Sequence, residues 1–214
     1  MFTKTKPIVI VAGEPNSIFL EILFKSLKSN NYKNPLIIIV SKKLLISQMH
    51  LLGYKFKINS LDIKKDYINF IDKKKLNIID VKYSFNHPFE RISKKSNSYI
   101  TTCFRVGTDI VKMNNCLGLI NGPISKKNFL QGRHLGITEY LASKSKRKDV
   151  VMLIYNKKLS VSPITTHLAL KDVKKNISKI KIINHVKIIS EFYKKRFNKN
   201  PKIAVTGLNP HCES

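Results

Sequence analysis

Arginine is scarce in this chain. It stands only at positions 91, 105, 133, 147 and 196, so the 40 basic residues are nearly all lysine, set against 13 acidic ones. The resulting charge of +27 and pI near 10.1 would suit a nucleic-acid binder, but such proteins concentrate charge on one face with arginine forks and aromatic platforms. Here lysine is spread along almost the whole length and travels with isoleucine and asparagine, three residue types favoured together by A/T-rich codons. No specific nucleic-acid partner is expected, and a basic nucleic-acid-binding role rests on net charge alone. Cysteine is also sparse: Cys103, Cys116 and Cys212 are odd in number and lack CxxC spacing. That argues against a disulfide framework or a zinc ribbon and points to a reducing cytoplasm. No apolar run approaches the roughly 18 residues of a membrane span. The apolar or small stretch 8–13 ends at Glu14, too short for a signal peptide. Repeats, Gly/Ser linkers and the GxSxG, HExxH, Walker and Cys-His patterns are absent as well, which disfavours acyl transfer and P-loop chemistry.

What is present is globular composition: 214 residues, 43% hydrophobic and 25% charged, enough for one large domain or two small lobes. Short β-branched runs at 8–12, 35–40, 76–81, 117–120, 150–155 and 202–205 read as buried strands of a mostly parallel sheet, with a return strand at 159–164. Helical spacing of apolar residues predicts helices over 17–29, 98–113 and 177–197, with Gly107 an unwelcome residue inside the second. The lysine-rich run 64–75 reads as a solvated helix face, and 83–98 as an irregular connection or short edge hairpin. The alternation gives an α/β fold.

Three places put turn-forming residues after a predicted strand, where open α/β sheets bind ligands. The first, Ala12-Gly13-Glu14-Pro15-Asn16-Ser17, is not a GxGxxG loop; its residues read as an ordinary βα turn with Glu14 solvated. The second, Asn121-Gly122-Pro123-Ile124-Ser125-Lys126, ends a buried strand in Gly-Pro, with Lys126 as either a phosphate contact or a surface charge. The third is Thr165-Thr166-His167-Leu168, which pairs in type with Leu208-Asn209-Pro210-His211. Two imidazoles from turns on neighbouring strands, joined by a third ligand, would make a divalent-metal site; each alone is equally a hydrogen-bonded structural histidine. His50, His87, His134 and His185 read as surface or satisfied histidines.

In order along the chain, Gly13-Glu14-Pro15 with Ile18, Gly122 to Lys126, Gly136-Ile137-Thr138-Glu139, Thr165 to Leu168 and Gly207 to His211 together resemble the motifs of the 4-hydroxythreonine-4-phosphate dehydrogenase family. The resemblance covers essentially the whole chain. It implies a two-lobed α/β architecture like that of isocitrate and isopropylmalate dehydrogenases, with mostly parallel sheets, read here as an N-terminal lobe over 1–122 and a partial second lobe over 123–214 carrying the metal histidines. It implies NAD-dependent oxidation and decarboxylation of 4-phosphooxy-L-threonine to 3-amino-2-oxopropyl phosphate in pyridoxal phosphate biosynthesis. A divalent ion (zinc, magnesium or cobalt) would be held by His167 and His211, Thr138 would contact the small phosphorylated substrate, and the enzyme would be a cytoplasmic homodimer. Three departures stand out: Ile137 replaces the family's histidine, Asn16-Ser17 replaces Ala-Gly, and family members continue for roughly another third of their length, much of a lobe. An inactive C-terminally truncated remnant, or a binding or dimerising module, is the alternative expectation.

Overall fold

The computed structural model describes residues 5–134, 136–145 and 149–209. The chain divides into two compact units, Met1–Ser145 and Lys146–Ser214, so residues 123–145 lie with the first.

The first unit is built on a five-stranded sheet of order β3-β4-β2-β1-β5, formed by β1 (Ile8–Val11), β2 (Leu36–Val40), β3 (Ile58–Ser60), β4 (Leu76–Asp80) and β5 (Gly118–Asn121). Every pairing is parallel, with Ile8 opposite both Leu36 and Gly118. Helices cover both faces, which is why the central strands are apolar at nearly every position. Ile10, Ile38 and Ile78 face α1 (Phe19–Ser29) and α2 (Lys42–Leu51), packing with Phe24, Leu45 and Met49. Val9, Val11, Ile37, Ile39 and Ile79 face the other way, against Ile100, Phe104 and Ile110 of α3 (Asn97–Lys112). The two-residue alternation of a pleated strand thus feeds two cores.

The expected helices at 17–29 and 98–113 are present, as are the strands at 8–12, 35–40, 76–81 and 117–120. Gly107 sits where α3 presses on the sheet: a Cβ there would lie 2.8 Å from Leu119 Cδ1 and 2.8 Å from Val11 Cγ2. The residue that weakened the helix prediction is the one that lets the helix approach.

The lysine-rich run is not the helix expected. It holds a single 3-10 turn, Tyr67–Phe70, with Tyr67 buried. Asn77 accepts a hydrogen bond from the Asp72 amide at 2.8 Å and donates to the Asp72 carbonyl at 2.9 Å, so side-chain bonds to the backbone hold residues 72–77 out of helical geometry. Edge strand β3, three residues long, lies below the length at which alternation is readable.

In the second unit the long helix is as expected: Ser178 Oγ accepts from the Lys181 amide at 3.2 Å, and the helix, Lys179–Phe197, ends on Asn198 at φ 52°. The strands expected at 150–155 and 159–164 are reduced to one antiparallel bridge, Ile154 to Val161, and 202–205 forms no strand among the described residues. β-Branched sequence supplies the capacity for a strand, whereas partner strands supply the ladder.

Candidate functional site

The chain leaves β1 toward the face of α1. After β5 it turns to the opposite face, where Leu130 and Tyr140 join the core built on α3. Diverging connections from neighbouring strands mark the crevice where open α/β sheets place ligands. The first two sequence motifs meet there. The Glu14 amide donates to the Pro123 carbonyl at 2.8 Å, and the Gly122 amide donates to the Val11 carbonyl at 2.7 Å. The backbones touch so closely that a Cβ on Gly13, whose φ is +77°, would lie 2.3 Å from Pro123 O; one on Gly122 would lie 2.1 Å from Ala12 O.

Glu14 is not the solvated residue expected. It is 3% exposed, because the start of α3 closes over it: Ser96 Oγ donates to Glu14 Oε2 at 2.9 Å, and the Asn16 amide donates to Oε1 at 3.3 Å. Burial raises the Glu14 pKa, and those two hydrogen bonds pull against the rise. Asn16 Oδ1 accepts from the Glu90 amide at 3.1 Å, and Ser17 Oγ donates to the Glu14 carbonyl at 2.7 Å, so of the two residues that depart from the family pattern, Ser17 bonds within the turn and Asn16 ties the turn to the connection after β4.

Gln48, fully buried on α2, donates from Nε2 to the Pro15 carbonyl at 2.9 Å and to the Pro88 carbonyl at 2.6 Å. It ties the turn to the irregular connection expected, and found, after β4. Sequence reasoning did not single out Gln48, Ser96 or Glu90. The one available signal was an amide inside an otherwise apolar helix face. Beside this loop, a cavity of about 280 Å³ opens at the carboxyl ends of β2 and β4, bordered by Ser41, Asp80, Lys82 and Tyr83.

Downstream of β5, Ser125 Oγ accepts from the Asn128 amide at 3.1 Å, and Lys126 is exposed. Thr138 lies half-buried in the first turn of α4 (Ile137–Ser145). Ile137 packs with Leu141 against the core of the first unit, so the residue that stands for the family's histidine spends its side chain on apolar contact. Tyr140 is buried against Phe104, Phe129 and His134, with ring centroids 5.4, 5.1 and 5.5 Å away. Cys103 is buried, and its thiol is pushed up to about 12, which leaves it inert as a nucleophile.

His167 belongs to the second unit, exposed at φ 56° in the bend before α5 (Leu170–Val173). Its expected companion His211 lies outside the described residues. An exposed imidazole suits a divalent ion by donor type, but no group of three or more His, Cys, Asp or Glu gathers among the described residues. His185, in α6 (Lys179–Phe197), is the satisfied histidine expected: it is 8% exposed, with Nε2 3.0 Å from Ser162 Oγ.

Residues 31–214 match the sequence profile described as pyridoxal phosphate biosynthetic protein PdxA. The chain belongs to the PdxA family. A PdxA relative named 4-hydroxythreonine-4-phosphate dehydrogenase, from a Sulfurihydrogenibium species, is 34% identical over 213 residues, covering 96% of this chain and 63% of its own. A second relative, named D-threonate 4-phosphate dehydrogenase, from Salmonella typhimurium, is 23% identical, covering 98% and 65%. The crystal structure of 4-hydroxythreonine-4-phosphate dehydrogenase from Klebsiella pneumoniae superposes with a TM-score of 0.81 at 24% identity, over 97% of this chain and 65% of that one. The α/β fold is therefore that of PdxA structures, and this chain spans a little under two thirds of the relatives it matches.

Proposed function

We propose that this chain carries out, or supplies the larger part of the machinery for, NAD-dependent oxidation and decarboxylation of 4-phosphooxy-L-threonine in pyridoxal phosphate biosynthesis. The observation that carries this reading is the junction of Glu14 with Pro123, which brings two motifs of a dehydrogenase family together at the switch point of the sheet. The substrate's carbinol carbon would give up a hydride to NAD and its hydroxyl a proton; the resulting β-keto acid would then lose carbon dioxide and take up a proton to give 3-amino-2-oxopropyl phosphate. The Thr138 hydroxyl would hold the substrate. The rigid Gly13 and Gly122 turns would shape the floor of the crevice without side chains in the way. His167 and His211 would hold a divalent ion, which when bound supplies a Lewis acid at the alcohol oxygen. A cytoplasmic homodimer completes the proposal.

Ile137, packed into the core, favours a second reading in which the phosphorylated hydroxy acid differs from the family's usual one. Both readings are tested by following NADH formation by the purified chain with divalent metal, on 4-phosphooxy-L-threonine and on D-threonate 4-phosphate. Each assay is run with and without the remaining segment of a full-length relative. Turnover that needs metal and is lost in His167→Ala supports the proposal, and the preferred substrate decides between the readings. No turnover from soluble protein in any combination would leave an inactive remnant.

A further inference from the structure

A cavity of about 520 Å³ in the first unit opens at the amino ends of β2 and β4, beside Leu36 and Leu76. Strand β2 separates it from the candidate site by about 13 Å, at about 3.3 Å per residue. Lys57, Lys73, Lys74 and Lys75 line it, and its described lining includes no carboxylate. Lys75 pairs with Asp72 at 3.0 Å on the neighbouring turn. Leu27, Ile38 and Phe56 contribute an apolar lining, and Asn30, Asn31 and Asn34 contribute amides.

This concentration of charge is more than the general lysine excess of the chain, because both walls are built. On one wall, Asn77 is 2% exposed and has both ends of its side chain committed. Its Oδ1 accepts from the Asp72 amide at 2.8 Å and from Asn59 Nδ2 at 2.9 Å, while its Nδ2 donates to the Asp72 carbonyl at 2.9 Å. Asp72 Oδ1 in turn accepts from the Lys74 amide at 2.9 Å. The lysine turn is therefore held in one shape. On the other wall, Asn30 Nδ2 donates to the Ser26 carbonyl at 3.0 Å, Asn34 Nδ2 donates to the Lys6 carbonyl at 3.0 Å, and Tyr32 hydrogen-bonds Ser26 through their hydroxyls. The held turn sets where Lys73, Lys74 and Lys75 leave the backbone, so no backbone ordering is needed when an anion binds.

We infer that this cavity is a binding site for a nucleoside polyphosphate. Several lysines lining one cavity call for several phosphates rather than a lone carboxylate. The apolar side accepts a planar base, the asparagine side chains can pair with its edge, and a volume of this size has room for one such ligand. The site lies apart from the proposed catalytic loops, so it stands or falls independently of the dehydrogenase reading.

The test is calorimetric titration of the full chain with ATP at physiological ionic strength. Lys73→Glu/Lys74→Glu, both exposed in the native chain, should weaken binding about tenfold or more. Lys171→Glu/Lys175→Glu in the second unit carries the same change of charge and should leave affinity within about twofold; circular dichroism confirms that both variants are folded. Equal losses in the two variants would overturn the inference, as would inorganic tripolyphosphate binding as tightly as ATP, since either outcome describes a diffuse polycation. A mixed-sequence DNA duplex that displaces ATP and loses its own binding in Lys73→Glu/Lys74→Glu would also overturn it, by making the surface a nucleic-acid site.

Discussion

The amide of Glu14 donates to the carbonyl of Pro123 at 2.8 Å, joining the turn after the first strand to the turn after the fifth. Two segments more than a hundred residues apart in sequence thereby become one wall of the candidate site, and most of what can be tested about that wall follows from how little room it leaves.

Replacing Gly13 by Ala should be far more damaging than replacing Gly53. Both glycines have positive φ, +77° and +71°, so both substitutions carry the left-handed penalty of about 1–2 kcal/mol. Only at Gly13 does the new methyl meet backbone, at 2.3 Å, whereas Gly53 faces open space. Urea unfolding should show Gly13→Ala destabilised by about 2 kcal/mol or more beyond Gly53→Ala; equal losses would mean the two turns are not held in contact.

Gly107→Ala tests which of two opposing effects wins. Helix propensity alone favours alanine by about 1 kcal/mol. Contacts at 2.8 Å to the Val11 and Leu119 side chains oppose it by about 1–3 kcal/mol. Net destabilisation is expected, and a raised urea midpoint would show that α3 can lift off the sheet without loss.

Glu14 sets a pH dependence of definite sign. Burial raises its folded pKa above the ordinary 4.5, so between those values the folded state holds the proton more often than the unfolded one, and stability falls as pH rises through that window. Glu14→Gln removes the titration. The stability of the native chain relative to this variant should therefore decline as pH rises above 4.5 in paired denaturation curves, and a flat difference would contradict the burial.

His185 has the opposite sign. Burial, aided by Lys181, lowers its pKa below the ordinary 6.5, against the effect of its bond to the Pro163 backbone. Its contribution is complete above 6.5 and is lost as pH falls through the lowered value. Amide protection factors along Lys179–Phe197, each rate referred to its intrinsic rate at the same pH, should fall as pH drops below 6.5 in the native chain, and this loss of protection should vanish in His185→Gln. Persistence of the effect in the variant would assign it to another group.

The first unit was largely legible in the sequence because its strands are covered on both faces. Runs such as Ile8–Val11 and Leu36–Val40 therefore stand out as continuous apolar stretches. What escaped notice is of two kinds. The strand at Ile58–Ser60 is too short to show a period, and the run 64–75 has helix-compatible spacing that Asp72 and Asn77 override with side-chain bonds to backbone. At the candidate site, the glycines and Pro123 were visible as turn formers. The burial of Glu14 was not, since it depends on Ser96 arriving from 82 positions away. In the second unit, the runs at 150–155 and 202–205 carry strand composition, but Val205 is 58% exposed and Ile154 makes only a bridge; composition does not reveal whether a neighbouring strand is there to pair with.

The strand order also sets a timetable for the ribosome. β1 (Ile8–Val11) gains its neighbour β2 as soon as Leu36–Val40 is made, but its other edge waits for Gly118–Asn121. Through the synthesis of the whole intervening stretch, the nascent chain carries an open row of backbone donors and acceptors on a strand of isoleucine and valine, the kind of edge that recruits other chains. Slowing translation between β4 and β5 would prolong that exposure, and the yield of soluble protein would fall with it.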